Sequence, residues 1–171
     1  ESESKESSAL YYKYFAESVN HQSYGRGTTL NVDGSRKAWT LSNTSHSAPK
    51  GWLMGGNYWP DQWDILSSKP FVIPDGTDGL RLTFYARWSM GEFADCQVNW
   101  NHNGQFAEGI DQFMNGTNPD YPGYTRYSYD LPANFSGQDE TMCLDFSFSA
   151  SPDPGTFGWG ICVDDVAVYR R

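Results

Sequence analysis

Apolar and polar residues alternate with a period of two along much of this chain. From Leu80 it reads Leu80, Leu82, Phe84, Ala86 and Trp88, with Arg81, Thr83, Tyr85 and Arg87 between them. That is the pattern of a strand with one buried and one solvated face. Cys96, Val98 and Trp100 repeat it against Gln97 and Asn99. Met142, Leu144, Phe146 and Phe148 repeat it again against Cys143, Asp145 and Ser147. Shorter strands are predicted at residues 11–18, 38–41, 71–73, 127–131 and 161–169. No stretch carries a sustained helical period, although a single helical turn fits around residues 60–66 or 109–114. About eight strands separated by Gly, Pro, Asn and Asp turns predict an all-β sandwich of two packed antiparallel sheets. The segments 51–63 and 103–124 read as long loops, which in a compact domain usually carry function or ions.

Composition supports this pattern. The 171 residues suit one domain with one core. Aromatic residues reach 16%, so few positions can bury a large area. Residues 9–171 are expected to form the single domain. Residues 1–8, ESESKESS, read as a disordered linker or the edge of an excised fragment. The formal charge of −9 sets the surface against phosphate backbones and anionic lipid heads, so nucleic acid is not an expected partner. No apolar run is long enough to span a bilayer, so membrane insertion is not expected either.

Cys96, Cys143 and Cys162 cannot all pair with one another, form no CxxC and lie near no His pair, which disfavours zinc. Cys96 shares the apolar parity of its strand and reads as a buried, inert thiol. Sequons at Asn43, Asn115 and Asn134 fit a glycosylated, secreted protein.

Several stretches resemble, in order, the strands of MAM-like, galactose-binding-like jelly-roll domains appended to secreted proteases and bacterial surface proteins. The segment 158–168, GWGICVDDVAV, is similar to their closing strand. The segment 63–73, WDILSSKPFVI, is similar to an earlier one, and residues 80–87, LRLTFYAR, to the strand that follows. Gln97-Val98-Asn99-Trp100 leading to Asn103-Gly104 resembles the next. Gly160 and Cys162 are insertions relative to the family's closing strand. The resemblance implies a jelly-roll β-sandwich, secreted or at the cell surface. In that topology Cys143 and Cys162 fall apart as free thiols, whereas a simple hairpin would set them face to face.

Relatives of this fold often hold a structural calcium between an acidic residue of the first strand and Asp of the closing strand. The matching positions are Glu17 and Asp164 or Asp165, with Asp33 and backbone carbonyls completing the oxygen shell. The alternative is that Asp164 and Asp165 cap a strand and hydrogen-bond a loop. Trp52, Asn57, Tyr58, Trp59 and Asp61 form an aromatic and polar set suited to sugar rings, unless the Trp side chains fold back as lids on the core. Gln97, Asn99, Asn101 and His102 form a second set, either a sugar-binding strand or a solvated edge.

No His-Glu-x-x-His, Gly-x-Ser-x-Gly or phosphate-loop motif is present, and His21, His46 and His102 are isolated. The sequence therefore points to a non-catalytic accessory module that binds carbohydrate or a neighbouring domain of the same chain. The alternatives are a structural or protein-interaction domain flanking a protease or adhesin, and a polysaccharide-acting enzyme on a sandwich scaffold.

Overall fold

The computed structural model describes residues 9–11, 20–23, 39–47, 51–55, 63–68, 71–103, 105–132, 142–150 and 158–170. These hold ten strands: β1 Ala9–Tyr11, β2 Asn20–Ser23, β3 Thr40–Ser42, β4 Gly51–Gly55, β5 Trp63–Ser67, β6 Gly79–His102, β7 Gln105–Thr117, β8 Thr125–Pro132, β9 Met142–Ala150 and β10 Gly160–Arg170. All pairings are antiparallel and join into one network, ordered β2-β5-β9-β6-β10-β4-β3, with β1 on β10 and both β7 and β8 on β6.

The strand β6 explains how one network makes a sandwich. Its first half pairs with β10 and β8, and its second half pairs with β9 and β7. The two alternating runs of the sequence are therefore one strand of 24 residues shared by two layers. The first layer comprises β3, β4, β10, β1, residues 79–89 of β6, and β8. The second comprises β2, β5, β9, residues 94–102 of β6, and β7. The strand turns from one layer to the other where its pairing with β7 breaks, between Met90 and Asp95. Opposite that break, Asn115 and Gly116 of β7 adopt φ values of 42° and 136°. Both strands bend together there.

Even-numbered side chains of β6 point inward through both halves: Leu80, Leu82, Phe84, Ala86, Trp88 and Met90, then Ala94, Cys96, Val98 and Trp100. Those of β9 meet them across the sandwich. Phe84 packs edge-on against Phe146 with ring centroids 5.2 Å apart, and stacks on Tyr127 at 5.2 Å. Strand β10 keeps its apolar side inward by a bulge. Asp164 pairs with Tyr85 and Ala167 with Thr83, so two residues, Asp165 and Val166, oppose Phe84 alone. The extra residue switches parity, so that Ile161 and Val163 before it and Val166 and Val168 after it all face the core.

Within the two segments read as loops, residues 51–55 and 105–117 are strand. Trp52 lies in β4, opposite Val163 and Leu41, and packs against the core. Residues 105–117 form β7. Its pattern is exposed on almost every residue because β7 is paired on one side only among the described strands, and period-two alternation does not develop. Neither expected helical turn forms in the described part of 60–66 or in 109–114; both run as strand. Residues 71–73 contribute one bridge, Phe71 to Met142.

All three cysteines are free thiols. Cys143 sits opposite Asn101 and Cys162 opposite Arg87, so the two flank distant parts of β6. Among the described residues no helix is long and apolar enough to cross a membrane.

Candidate functional site

Because even-numbered residues of β6 face the core, Asp95, Gln97, Asn99 and Asn101 point outward from the second layer. The register sets a partner on each side of every one. Ser149, Ser147, Asp145 and Cys143 of β9 lie opposite them in that order. Met114, Gln112, Gly109 and Phe106 of β7 lie on the other side. The outcome is a ladder of polar rows with exposed apolar side chains at its ends, Met114 at one and Phe106, 67% exposed, at the other.

Hydrogen bonds fix the orientation of these groups. Asp95 accepts from the Ser149 hydroxyl and from the amides of Gln112 and Gln97, the last at 3.3 Å. Each glutamine uses one N–H in this way and keeps a second N–H and a carbonyl oxygen. Asn101 donates to Asp145. Burial pushes the Asp145 carboxyl above the usual range, and bonds from Ser67 and Asn101 pull it back. Its second oxygen has no well-aligned donor among the described residues.

At Gly109 the ladder carries no side chain. A β-carbon there would lie 3.8 Å from the Asn99 side-chain oxygen and 4.0 Å from the tip of the Phe106 ring. With glycine at this position, an exposed aromatic ring and a planar amide face the same gap. Such a pairing offers an apolar surface beside a hydrogen-bonding group, the combination that small polar ligands need.

Of the residues singled out in the sequence, Gln97, Asn99 and Asn101 come together on this face. His102 has the opposite parity and ends β6 between Met142 and Gln105. Trp52 belongs to β4, in the other layer. Asn57, Tyr58, Trp59, Asp61, Glu17 and Asp33 lie outside the described residues. Phe106, Gly109 and Gln112 were hidden inside a segment read as loop; Asp95 and Asp145 were visible as odd-numbered members of alternating strands.

Asp164 and Asp165 lie on the outer side of the first layer, at the bulge. There they anchor residues 44–47. Asp164 accepts from the backbone N–H of Ser47 at 2.8 Å and of Asp165 at 2.8 Å. Asp165 accepts from the Ser47 hydroxyl and pairs with His46 at 2.8 Å. The Cys162 thiol donates to the Thr44 carbonyl at 3.0 Å. His46, exposed at the surface, is not isolated: it stacks on Tyr85 with centroids 3.6 Å apart. Next to it the Arg87 guanidinium lies 4.0 Å from the centre of the Trp159 ring. All four carboxylate oxygens of Asp164 and Asp165 thus have protein donors. Among the described residues no group of three or more His, Cys, Asp or Glu side chains is arranged to hold a metal.

No family model and no curated protein sequence matches this chain. Solved structures do match in fold. The K3 cleaved adhesin domain of Lys-gingipain from Porphyromonas gingivalis has a TM-score of 0.60 at 15% identity, over 94% of this chain and 99% of that one. A carbohydrate-binding module of lichenase 5A from Cellvibrio mixtus, in complex with cellotriose, has 0.53 at 11%, over 95% and 98%. The enzymatically active domain of tailspike protein 4 from bacteriophage CBA120 has 0.53 at 9%, over 90% of this chain, which spans only 19% of that one. The architecture is a jelly roll. The chain shares this fold with those carbohydrate-binding and adhesin domains; a specifically MAM-like assignment goes beyond these likenesses.

Proposed function

We propose that this domain is a non-catalytic, carbohydrate-binding accessory module of a secreted or cell-surface multidomain protein, and that it binds sugar on the outer face of residues 95–101 of β6 and their partners on β7 and β9. The observation that carries the reading is the gap at Gly109, with the exposed Phe106 ring on one side and the Asn99 amide on the other. A sugar ring has an apolar C–H face and a hydroxyl rim. It stacks on the first and hydrogen-bonds the second, while Gln97, Gln112 and Asn101 supply further donors and acceptors along the chain. The cellotriose complex and the adhesin domain on the same fold support this choice of ligand and an extracellular setting.

Affinity electrophoresis against a panel of soluble polysaccharides tests it. Retardation by at least one polysaccharide is expected, weakened about tenfold in Phe106→Ala, which corresponds to about 1.4 kcal/mol. The thermal midpoint should not move, because the ring is exposed. A panel without any retardation would refute the reading, as would a Phe106→Ala variant that binds like the parent.

A further inference from the structure

The charge of the two layers differs. The strands of the second layer contain no Lys or Arg, and carry Asp64, Asp95, Glu108, Asp111 and Asp145. The arginines of the strands, Arg81, Arg87, Arg126 and Arg170, all belong to the first layer. The proposed sugar face is thus built on the acidic side of the sandwich, with Asp95 and Asp145 in its floor.

The shape of the face is equally one-sided. Its polar rows recur at every second residue of β6, and from Asp95 to Asn101 they extend ~20 Å at the rise of a strand. Gln97, Gln112, Phe106 and Met114 are exposed, so the floor is open along its length. Apolar contacts stand at both ends, Met114 opposite Asp95 and Phe106 opposite Asn101. A single terminal sugar would touch one end and leave the other rows idle.

We infer that the ligand of this face is an uncharged, linear glycan laid lengthwise along β6, and that polyuronates are repelled from it. The inference rests on the carbohydrate-binding reading above and adds its substrate class. A polyuronate would bring a carboxylate to each sugar unit over a floor that holds carboxylates and no strand-borne cation. Between partly exposed charges this repulsion weakens with ionic strength, since screening sets in over ~10 Å at 0.1 M salt.

Calorimetry tests the inference with oligosaccharide series of increasing length. The probes are neutral β-glucan and xylan fragments on one side and oligogalacturonates on the other, at low and high salt. Neutral chains are expected to bind more tightly with each added unit until the floor is covered. Oligogalacturonates of equal length should bind about tenfold more weakly or worse at low salt, with a gap that narrows at high salt.

Two results would overturn the inference while the carbohydrate reading stands. One is oligogalacturonate binding as tight as neutral binding and lost in Phe106→Ala. The other is neutral affinity already saturated by a single sugar unit. Binding of neither series overturns both.

Discussion

Asp145 stands in the middle of the proposed sugar face, and the fold alters its protonation. Burial raises its pKa, and the bonds from Ser67 and Asn101 only partly offset that. A carboxyl with a raised folded pKa binds its proton more tightly in the native state than in the unfolded chain. Its contribution to stability is therefore complete below the unfolded value and is lost as pH rises through the folded one. Asp145→Asn removes this dependence and keeps an oxygen to accept from Asn101. The difference in denaturation midpoint between parent and variant should change across the weakly acidic range and level off above it. A difference independent of pH would contradict this account. The thiols give a second prediction at the same scale. Burial pushes Cys162 up to about 11 and raises Cys96 and Cys143 as well. Since the thiolate is the reactive form, neither of the two buried thiols, Cys96 and Cys162, should be alkylated by iodoacetamide near neutral pH until denaturant is added. Rapid labelling of either in the native protein would show the burial to be wrong. At this scale the sequence was most informative where a residue sat within an alternating run. Gln97, Asn99 and Asn101 could be assigned to one face by parity alone. Phe106 and Gly109 could not, because their significance depends on a cross-strand partner, and register with β6 is not written in local pattern.

Among the elements, β10 shows how a short break in alternation acquires a structural role. Its apolar residues fall at Ile161 and Val163, then at Val166 and Val168, a phase change that a bulge must absorb. The absorbing residue is Asp165, at φ 50°, and the same side chain holds His46 and Ser47. These two duties can be separated. Asp165→Gly keeps the left-handed backbone accessible and loses the carboxylate, whereas Asp165→Ala loses the carboxylate and strains the backbone as well. A non-glycine residue in this conformation costs about 1–2 kcal/mol, so Ala should be less stable than Gly by roughly that amount in chemical denaturation. Equal stabilities would mean that the bulge is not held in the left-handed form. The sequence announced the closing strand by its Gly-Trp and Asp-Asp groups. It gave no local sign that β7 is a strand, since an edge strand exposed on nearly every residue shows no alternation. The length of β6 was hidden for another reason: Gly91, Glu92 and Phe93 interrupt the polar-out pattern at the bend, although the even-numbered apolar residues on either side remain in phase.

At the scale of the whole molecule, β6 makes the two layers one cooperative unit. A sandwich whose layers shared only apolar contacts could loosen one layer at a time. Here residues 79–89 carry β10 and β8, and residues 94–102 carry β9 and β7, so loss of either half of the strand removes the central member of its own layer and frees an end of the other. Phe84 lies between the layers, on a strand of the first but in ring contact with Phe146 of the second and with Phe113 of β7. Truncating a fully buried phenylalanine costs about 3–5 kcal/mol through lost burial and the cavity left behind. In Phe84→Ala that loss should appear equally in both layers. Amide hydrogen exchange would then show protection falling by a similar free energy in β10 and β4 and in β9 and β5, because the slowest amides exchange through global opening. Protection that fell in β10 and β4 while β9 and β5 kept the parental value would show that the layers open separately. The bend at Met90–Asp95 would then be a hinge between two units instead of a turn within one. This outcome bears on the sugar face too, which lies wholly on the second layer: if the layers are coupled, a ligand bound along residues 95–101 must raise protection in β10 and β4, strands it never touches.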